Sequence, residues 1–539
     1  MKSPSIEQAA AIACGGNVVI TARPGSGKTF TLSRMIAAES KALLEYQGVI
    51  AISYTRKASV ELKRRCDQLG AENAMSFFGT IDGFCLGEIV RPFARRFTGR
   101  AVELEIISDD KNHSASKLLD KPLNEAREEV RKSLKHGAIS LSKISEAAYF
   151  ILSECSDAQR YLAARYKSVY VDEYQDCSDF QHLLLLELMR LGLRAVVVGD
   201  VDQAIFRYDH RSPEHLVELT KSPGFTHFSL TENRRCHKSI SNYSLALLGI
   251  PADPIPLSER RVFQITVDGN ESTIANCIGY ALKDIKAKYS ICTNNEVAII
   301  ARNSKTLDMV ASSIGLPTKR YKNTPLDKGY SKWRRVFQDL LDLYYSDSKY
   351  AGDFLQKYIS KDLNLHEWSK GFALVSKFVE LAEADLILNL KTATAIAELC
   401  EPGFEIKGDV AALKATVENV DILRSGFCPA RPEEVVLLTY HKAKGSEFDC
   451  VFCMNTYEHI MPPYGTRPGD SEWKESLSLH YVGVTRARKV CYVPVSSYRT
   501  KGSENILTTA RPSSFLTRAD LAEFKIHKTW YPKAEFYLP

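Results

Sequence analysis

Short apolar runs, each ended by a turn residue or a charge, recur along the chain between longer stretches of helical spacing. They fall at 18–21 (VVIT), 48–53 (GVIAIS), 168–171 (SVYV), 194–200 (RAVVVGD) and 296–302 (EVAIIAR). Further runs open 434–449 (EVVLLTYHKAKGSEFD) and fill 450–455 (CVFCMN) and 490–495 (VCYVPV). Runs of this kind alternating with helical segments predict parallel α/β units. Two stretches break the alternation. Residues 100–165 turn polar and helix-like, with charge runs such as NEAREEVRKSLK that read as solvated helix faces. Residues 303–425 are helical in pattern, and their aromatics, Trp333 and Trp368 among them, read as core. Prolines at 251, 254 and 256 mark a boundary between two α/β units. The expected organisation is an α/β unit from 1–90 and 166–250, interrupted by a helical insertion at 91–165. A second α/β unit from 251–302 and 434–539 is interrupted by another insertion at 303–433.

Composition narrows this picture little. A chain of 539 residues is too long for one core, and 45% hydrophobic with 25% charged residues is ordinary for a globular protein. A net charge of +6 permits a nucleic-acid partner without arguing for one. The N-terminal residues lack an apolar signal core, and the most apolar long stretch, 183–198, is broken by Glu187, Arg190 and Arg194, so no membrane segment is expected. Thirteen scattered cysteines suit a reducing cytoplasm. Cys450 and Cys453 stand three apart in a strand and should point to opposite faces, which argues against a shared metal.

The chemistry begins at ARPGSGKT. A strand, a loop with Gly25 and Gly27, then Lys28 and Thr29 opening a helix make a P-loop, although Ala22 stands where a glycine is usual. The loop of Ala22, Arg23, Pro24, Gly25, Ser26 and Gly27, running on to Phe30, would surround phosphates with backbone N–H groups (Pro24 shaping the turn without one), and the helix N-terminus would add partial positive charge. Lys28 would reach the β- and γ-phosphates and the Thr29 hydroxyl would hold Mg²⁺. Upstream, the Gln8 amide has the donor and acceptor needed to read an adenine edge. Downstream, Asp172 and Glu173 sit at the carboxyl end of a strand, where ligands bind in open α/β sheets. Asp172 would share the Mg²⁺ and Glu173 would orient or deprotonate water. Gln203 would sense the γ-phosphate, and Arg235, beside Arg234, would neutralise charge developing there. Residues 77–97 mix Gly, aromatics and Arg in a composition able to stack bases and contact phosphates, or alternatively to pack a helix through its Phe residues.

In order along the chain these segments resemble the motifs of the UvrD/Rep-like branch of superfamily 1 helicases. Gln8, ARPGSGKT, TRKA with Glu61, GTIDGF, DEYQD, GDVDQAIF, ENRR, TYHKAKGSEF and YVGVTRAR match them in sequence order. The resemblance implies two RecA-like P-loop domains with ATP and Mg²⁺ in the cleft between them, and inserted helical subdomains of which the second is reduced. It implies that Arg235 and Arg486 meet the γ-phosphate, that Arg234 stacks on adenine, and that Glu447 meets the ribose. Single-stranded DNA would pass Tyr54, Thr55, Phe84, Tyr208, Thr439, His441 and Lys444 during 3′-to-5′ movement. The sequence departs from the family's pattern at Asp82, usually His, at Asp209-His210, usually Arg-Gly, and at Arg234, usually aromatic. The reduced insertion and GTIDGFCLGEIVRPF are most similar to the helicase-like subunits of Gabija anti-phage systems. That likeness implies a Toprim-domain, ATP-regulated nuclease as partner and DNA ends or single strands as the ligand. Two alternatives stay open, a stand-alone repair or replication helicase and a DNA-binding scaffold with weak ATPase.

Overall fold

The computed structural model describes residues 3–53, 56–71, 73, 75–101, 104–107, 122–205, 211–328, 331–347, 349–359, 364–403, 408–501 and 506–531. Helix α1 (Ile6–Ala13) precedes strand β1 (Val18–Ala22), and helix α2 (Lys28–Ser40) follows it. Strands β2 (Gly48–Ile52), β3 (Phe77–Gly79), β4 (Tyr166–Val171), β5 (Arg194–Gly199) and β6 (Thr226–Leu230) join β1 in a six-stranded sheet, in the order β3-β2-β4-β5-β1-β6. Helix α3 (Asp179–Arg190) follows β4, and helix α4 (Glu214–Lys221) precedes β6. Every pairing is parallel, so each strand must be covered on both faces.

The strand pattern supplies that cover by alternation. Val19, Val169, Val171, Ala195 and Val197 face one core, shared with the helices of 81–165. Val18, Ile20, Tyr170, Val196 and Val198 face the other, against α2 and the helix Arg56–Asp67. Burial of each such Val or Ile contributes about 1.5–3 kcal/mol.

The second sheet holds β7 (Val262–Val267), β8 (Val297–Ala301), β9 (Thr318–Arg320), β10 (Val435–Thr439), β11 (Phe448–Cys453), β12 (Ala487–Ser496) and β13 (Ile526–Trp530). Their order is β9-β10-β8-β11-β12-β7-β13, again all parallel. Cys450 and Cys453 lie fully buried in the cores on opposite faces of this sheet, as strand geometry requires. The thirteen cysteines are all free thiols. Residues 326–427 fold as helices around a core of their own, with Trp333, Phe337, Phe354 and Phe378 at its centre.

Two expected boundaries move. Strand β9 pairs with β10, so the second sheet extends beyond residue 302 into the stretch assigned to the insertion. Helix α5 (Lys238–Leu247) buries Ile240, Tyr243 and Leu247 against the second sheet rather than the first. An amphipathic helix states which face is apolar but not which sheet will cover it. Among the described residues no helix is long and apolar enough to cross a membrane.

Candidate nucleotide and nucleic-acid sites

The turn after β1 is built from two left-handed glycines, Gly25 at φ +74° and Gly27 at φ +87°. Neither position has room for a side chain. A Cβ on Gly25 would stand 2.6 Å from the Arg235 Cβ, and one on Gly27 2.6 Å from the Gln8 Nε2. Gly27 caps α2 without a side-chain hydrogen bond, which leaves the first N–H groups of the helix to an anion. Ala22 ends β1 in the core, and the Arg23 N–H donates to the Leu230 carbonyl at 3.1 Å. Ser26 Oγ donates back to the Arg23 carbonyl at 2.7 Å, closing the loop on itself. Phe30, in the first turn of α2, is covered by the Arg34 guanidinium at 4.4 Å.

Gln8 departs from expectation. It is 2% exposed; its Nε2 donates to the Ser26 carbonyl at 2.9 Å and its Oε1 accepts from Ser5 N at 2.9 Å. The amide buttresses the P-loop from behind and presents no edge to a base. Its role in the α1 capping box (Ser5 and Gln8) was the available sequence signal.

Opposite the loop, β4 delivers Asp172 and Glu173. Glu173 adopts φ +55°, a left-handed conformation that costs a non-glycine residue about 1–2 kcal/mol and turns its carboxylate toward Lys28. The Lys28 Nζ lies 3.2 Å from Glu173 Oε1. Burial opposes the lysine's charge, but Glu173, Asp200 and Asp172 outweigh it and hold its pKa above the ordinary value. Burial likewise opposes the charge of Glu173, yet Lys28 and Lys444 keep that carboxyl well below the usual range. Asp172 goes the other way, pushed up to about 6 by burial and by the charge of Glu173. Burial also raises Asp176 and Asp200. Carboxylates crowded and raised in this way are what a divalent cation relieves, so Asp172 with the Thr29 hydroxyl fits a Mg²⁺ site.

The second sheet closes the site. Arg486, on the turn before β12, donates to Gln203 Oε1 at 3.2 Å and to the Val482 carbonyl at 3.0 Å. Burial and the neighbouring Arg235 bring its pKa down to about 10. Arg235 pairs with Glu447 Oε1 at 2.6 Å, and Arg234 pairs with Glu232 at 2.7 Å on the rim. Gln203 Nε2 is fixed on Asp200 Oδ2 at 2.6 Å. Sequence reasoning missed Asp200 and Gln175. Gln175 donates to Glu173 at 2.5 Å while its Oε1 accepts from Asp200 N at 2.9 Å, linking the two strand ends. The GD of GDVDQ and the Q of DEYQD were the signals.

The expected DNA contacts divide. Tyr54, Thr55 and Tyr208, with Asp209 and His210, lie outside the described residues. Phe84 is fully buried, edge-on to Phe77 and Tyr166, and offers no face to a base. It packs a helix, the alternative its surroundings allowed. Lys444 is also corrected. Its ammonium, 8% exposed, is engaged by Asp176 and by the Gln203 carbonyl at 3.0 Å, and Glu173 stands 3.9 Å away. It belongs to the nucleotide cleft. Thr439 and His441 stay near the outer end of β10. Thr439 caps the short helix Tyr440–Ala443 and lines a cavity of about 330 Å³ with Arg320, Tyr321, Lys322, Asn323 and Lys442. Burial and the Arg302 charge push His441 down to about 4, so its ring is neutral. The basic segment 320–322 was not singled out in the sequence, since β9 itself went unpredicted.

Comparison with known proteins agrees with this arrangement. Residues 7–209 match the model of an AAA domain, and residues 348–498 match that of a UvrD-like helicase C-terminal domain. The Gabija protein GajB of Bacillus cereus (strain VD045) is 24% identical over 491 residues, spanning 88% of this chain and 92% of its own length. The ATP-dependent DNA helicase UvrD1 of Mycobacterium tuberculosis (strain ATCC 25618 / H37Rv) is 22% identical over 675 residues, covering 97% and 86%. The ATP-dependent DNA helicase PcrA of Bacillus subtilis (strain 168) is 20% identical over 616 residues, covering 92% and 83%. With an AAA-domain match over its first sheet, a UvrD-like helicase match reaching into its second, and the motifs in order across both, the chain resembles the UvrD-like ATP-dependent DNA helicases along most of its length.

Proposed function

We propose that the protein is a DNA-stimulated ATPase that moves 3′ to 5′ along single-stranded DNA and drives a partner nuclease in an anti-phage complex. The observation that carries the ATPase is a site shared between two sheets, with Gln203 meeting Arg486, Glu173 facing Lys444, and Arg235, packed against the P-loop, paired with Glu447. In that site the α2 N-terminus and Lys28 bind the phosphates, and Glu173, depressed and therefore ionised, takes the proton of the attacking water. Arg235 and Arg486 neutralise charge spreading onto the γ-phosphate oxygens. Thr29 and Asp172 would hold a Mg²⁺, which when bound would supply further neutralisation of phosphate charge. Because Arg486 and the base come from different sheets, turnover requires the cleft to close, and reopening resets it. The cavity at Thr439, rimmed by Arg320, Lys322 and Lys442, suits a phosphodiester backbone crossing the second sheet.

Size supports the defence role. Alignment with GajB takes 491 positions to span 88% of the chain, whereas UvrD1 needs 675 to span 97%, so the long helicases carry segments that this chain lacks. ATP hydrolysis measured with and without single-stranded DNA tests the reading, with stimulation of ten-fold or more on the order expected when DNA sets cleft closure. Equal rates in both would overturn it. Lys28→Ala should lower kcat by about 100-fold or more, since a fixed charge on the transition state is lost. Co-purification with a Toprim-domain nuclease made alongside it tests the partner, and a chain that unwinds tailed duplex efficiently alone would favour a stand-alone helicase.

A further inference from the structure

Against the DEYQD turn, where Tyr174 meets His182, α3 and α4 bring two histidines and a glutamate together. His182 from α3 and His215 and Glu218 from α4 each offer a ligating atom, all within 4.8 Å of one another. We propose that these three side chains form a transition-metal site, suited to Zn²⁺, that ties the helix following DEYQD to the helix preceding β6. Each ring already has one nitrogen oriented by a neighbour. Tyr174 Oη lies 2.7 Å from His182 Nδ1, and Asp179 Oδ1 lies 2.8 Å from His215 Nε2. The second is the carboxylate–histidine arrangement that fixes the tautomer of a metal ligand and raises its basicity. With His182 Nδ1–H donating to Tyr174 Oη and His215 Nε2–H donating to Asp179 Oδ1, the tautomers the site requires, His182 Nε2 and His215 Nδ1 are left as lone-pair donors.

Burial and the neighbouring His215 push His182 down to about 4, so it is unprotonated at neutral pH. His215 and Glu218 stand at i and i+3 on one helix face, and Glu218 is exposed, giving an ion an entry path and a negative charge. Two imidazoles and a carboxylate favour Zn²⁺ over Mg²⁺, and water would complete a tetrahedron. The rings now stack in parallel, centroids 4.4 Å apart and 9° between planes. Ligation therefore tilts the half-buried His215 ring out of the stack so that both lone pairs converge.

The test uses the full-length protein stripped with chelator, without nucleotide or Mg²⁺, titrated with Zn²⁺ and then Co²⁺. Expected are about one equivalent bound per chain and tetrahedral Co²⁺ bands from nitrogen and oxygen ligands, without the thiolate charge-transfer band that the cysteines would give. Asp179→Asn should weaken Zn²⁺ binding about 10–100-fold, as loss of an orienting partner does. His215→Ala and Glu218→Gln should lose the equivalent while melting like wild type in chelator, and Zn²⁺ should raise the melting temperature of wild type alone. Absence of a bound equivalent, a thiolate band, or wild-type affinity in His215→Ala overturns the proposal.

Discussion

Asp172, Glu173, Asp176 and Asp200 crowd around Lys28 and Lys444, and the fate of each carboxyl follows from which ammonium it faces. Glu173 has both and is held ionised; Asp172 pays for the proximity of Glu173. The folded Asp172 titrates near 6 against an ordinary value of 3.8, so between those values the native state holds a proton that the unfolded chain has released. Stability from this group is therefore greatest below pH 4 and is lost as pH rises through 6. Asp172→Asn is expected to stabilise the nucleotide-free protein at pH 7.5 by on the order of 1 kcal/mol, with the gap narrowed but still open at pH 5, while abolishing Mg²⁺-dependent turnover. Thermal melts at the two pH values check it; a gap unchanged by pH would count against the assignment. The same residue predicts that Mg²⁺ binds more weakly as pH falls, because the ion must displace the Asp172 proton.

At the scale of elements, the P-loop was legible because its determinants are local. Two glycines that take positive φ, a strand before them and a helix after them are all written within twelve residues. Gly27→Ala is expected to eliminate detectable nucleotide binding, since its Cβ would meet Gln8 and its backbone would be strained by about 1–2 kcal/mol. Binding of a fluorescent ATP analogue reads this directly. Phe84, Gln8 and Lys444 were not legible in the same way. An aromatic in a helix start, a glutamine in a capping box and a lysine before a glycine look alike whether they face solvent or core. What decides is the partner across space, here Phe77 and Tyr166, the Ser26 carbonyl, and Asp176. Strand β9 escaped notice because three residues, TKR, carry no apolar run, and its pairing with β10 makes it a strand. Helix α5 was misassigned for the same reason that makes helices easy to find, since periodicity is indifferent to the covering sheet.

For the molecule as a whole, a few buried polar groups join the sheets beside the apolar side chain of Ile205, which is buried in the core of the second sheet. Among the ion pairs of the described residues Lys444 and Asp176 are the most enclosed, with side chains 8% and 1% exposed. Lys444→Ala would leave a buried carboxylate without its ammonium and is expected to cost about 3–5 kcal/mol; adding Asp176→Asn should return part of it. Chemical denaturation of the two variants measures both, and an additive result would show that the pair is not coupled.

The ion pair between Lys28 and Glu173 has a consequence for how nucleotides come and go. The P-loop lysine is held by the carboxylate proposed as base, so the site contains its own tethered competitor for a triphosphate. A tethered group competes at high effective concentration, and affinity for ATP is set against it. Glu173→Gln removes the competing charge and should bind ATP several-fold more tightly while failing to hydrolyse it, which equilibrium binding and turnover assays separate. On the proposed mechanism Glu173 would reclaim Lys28 once phosphate leaves, because a diphosphate offers less charge, and the ion pair would then help to expel the product.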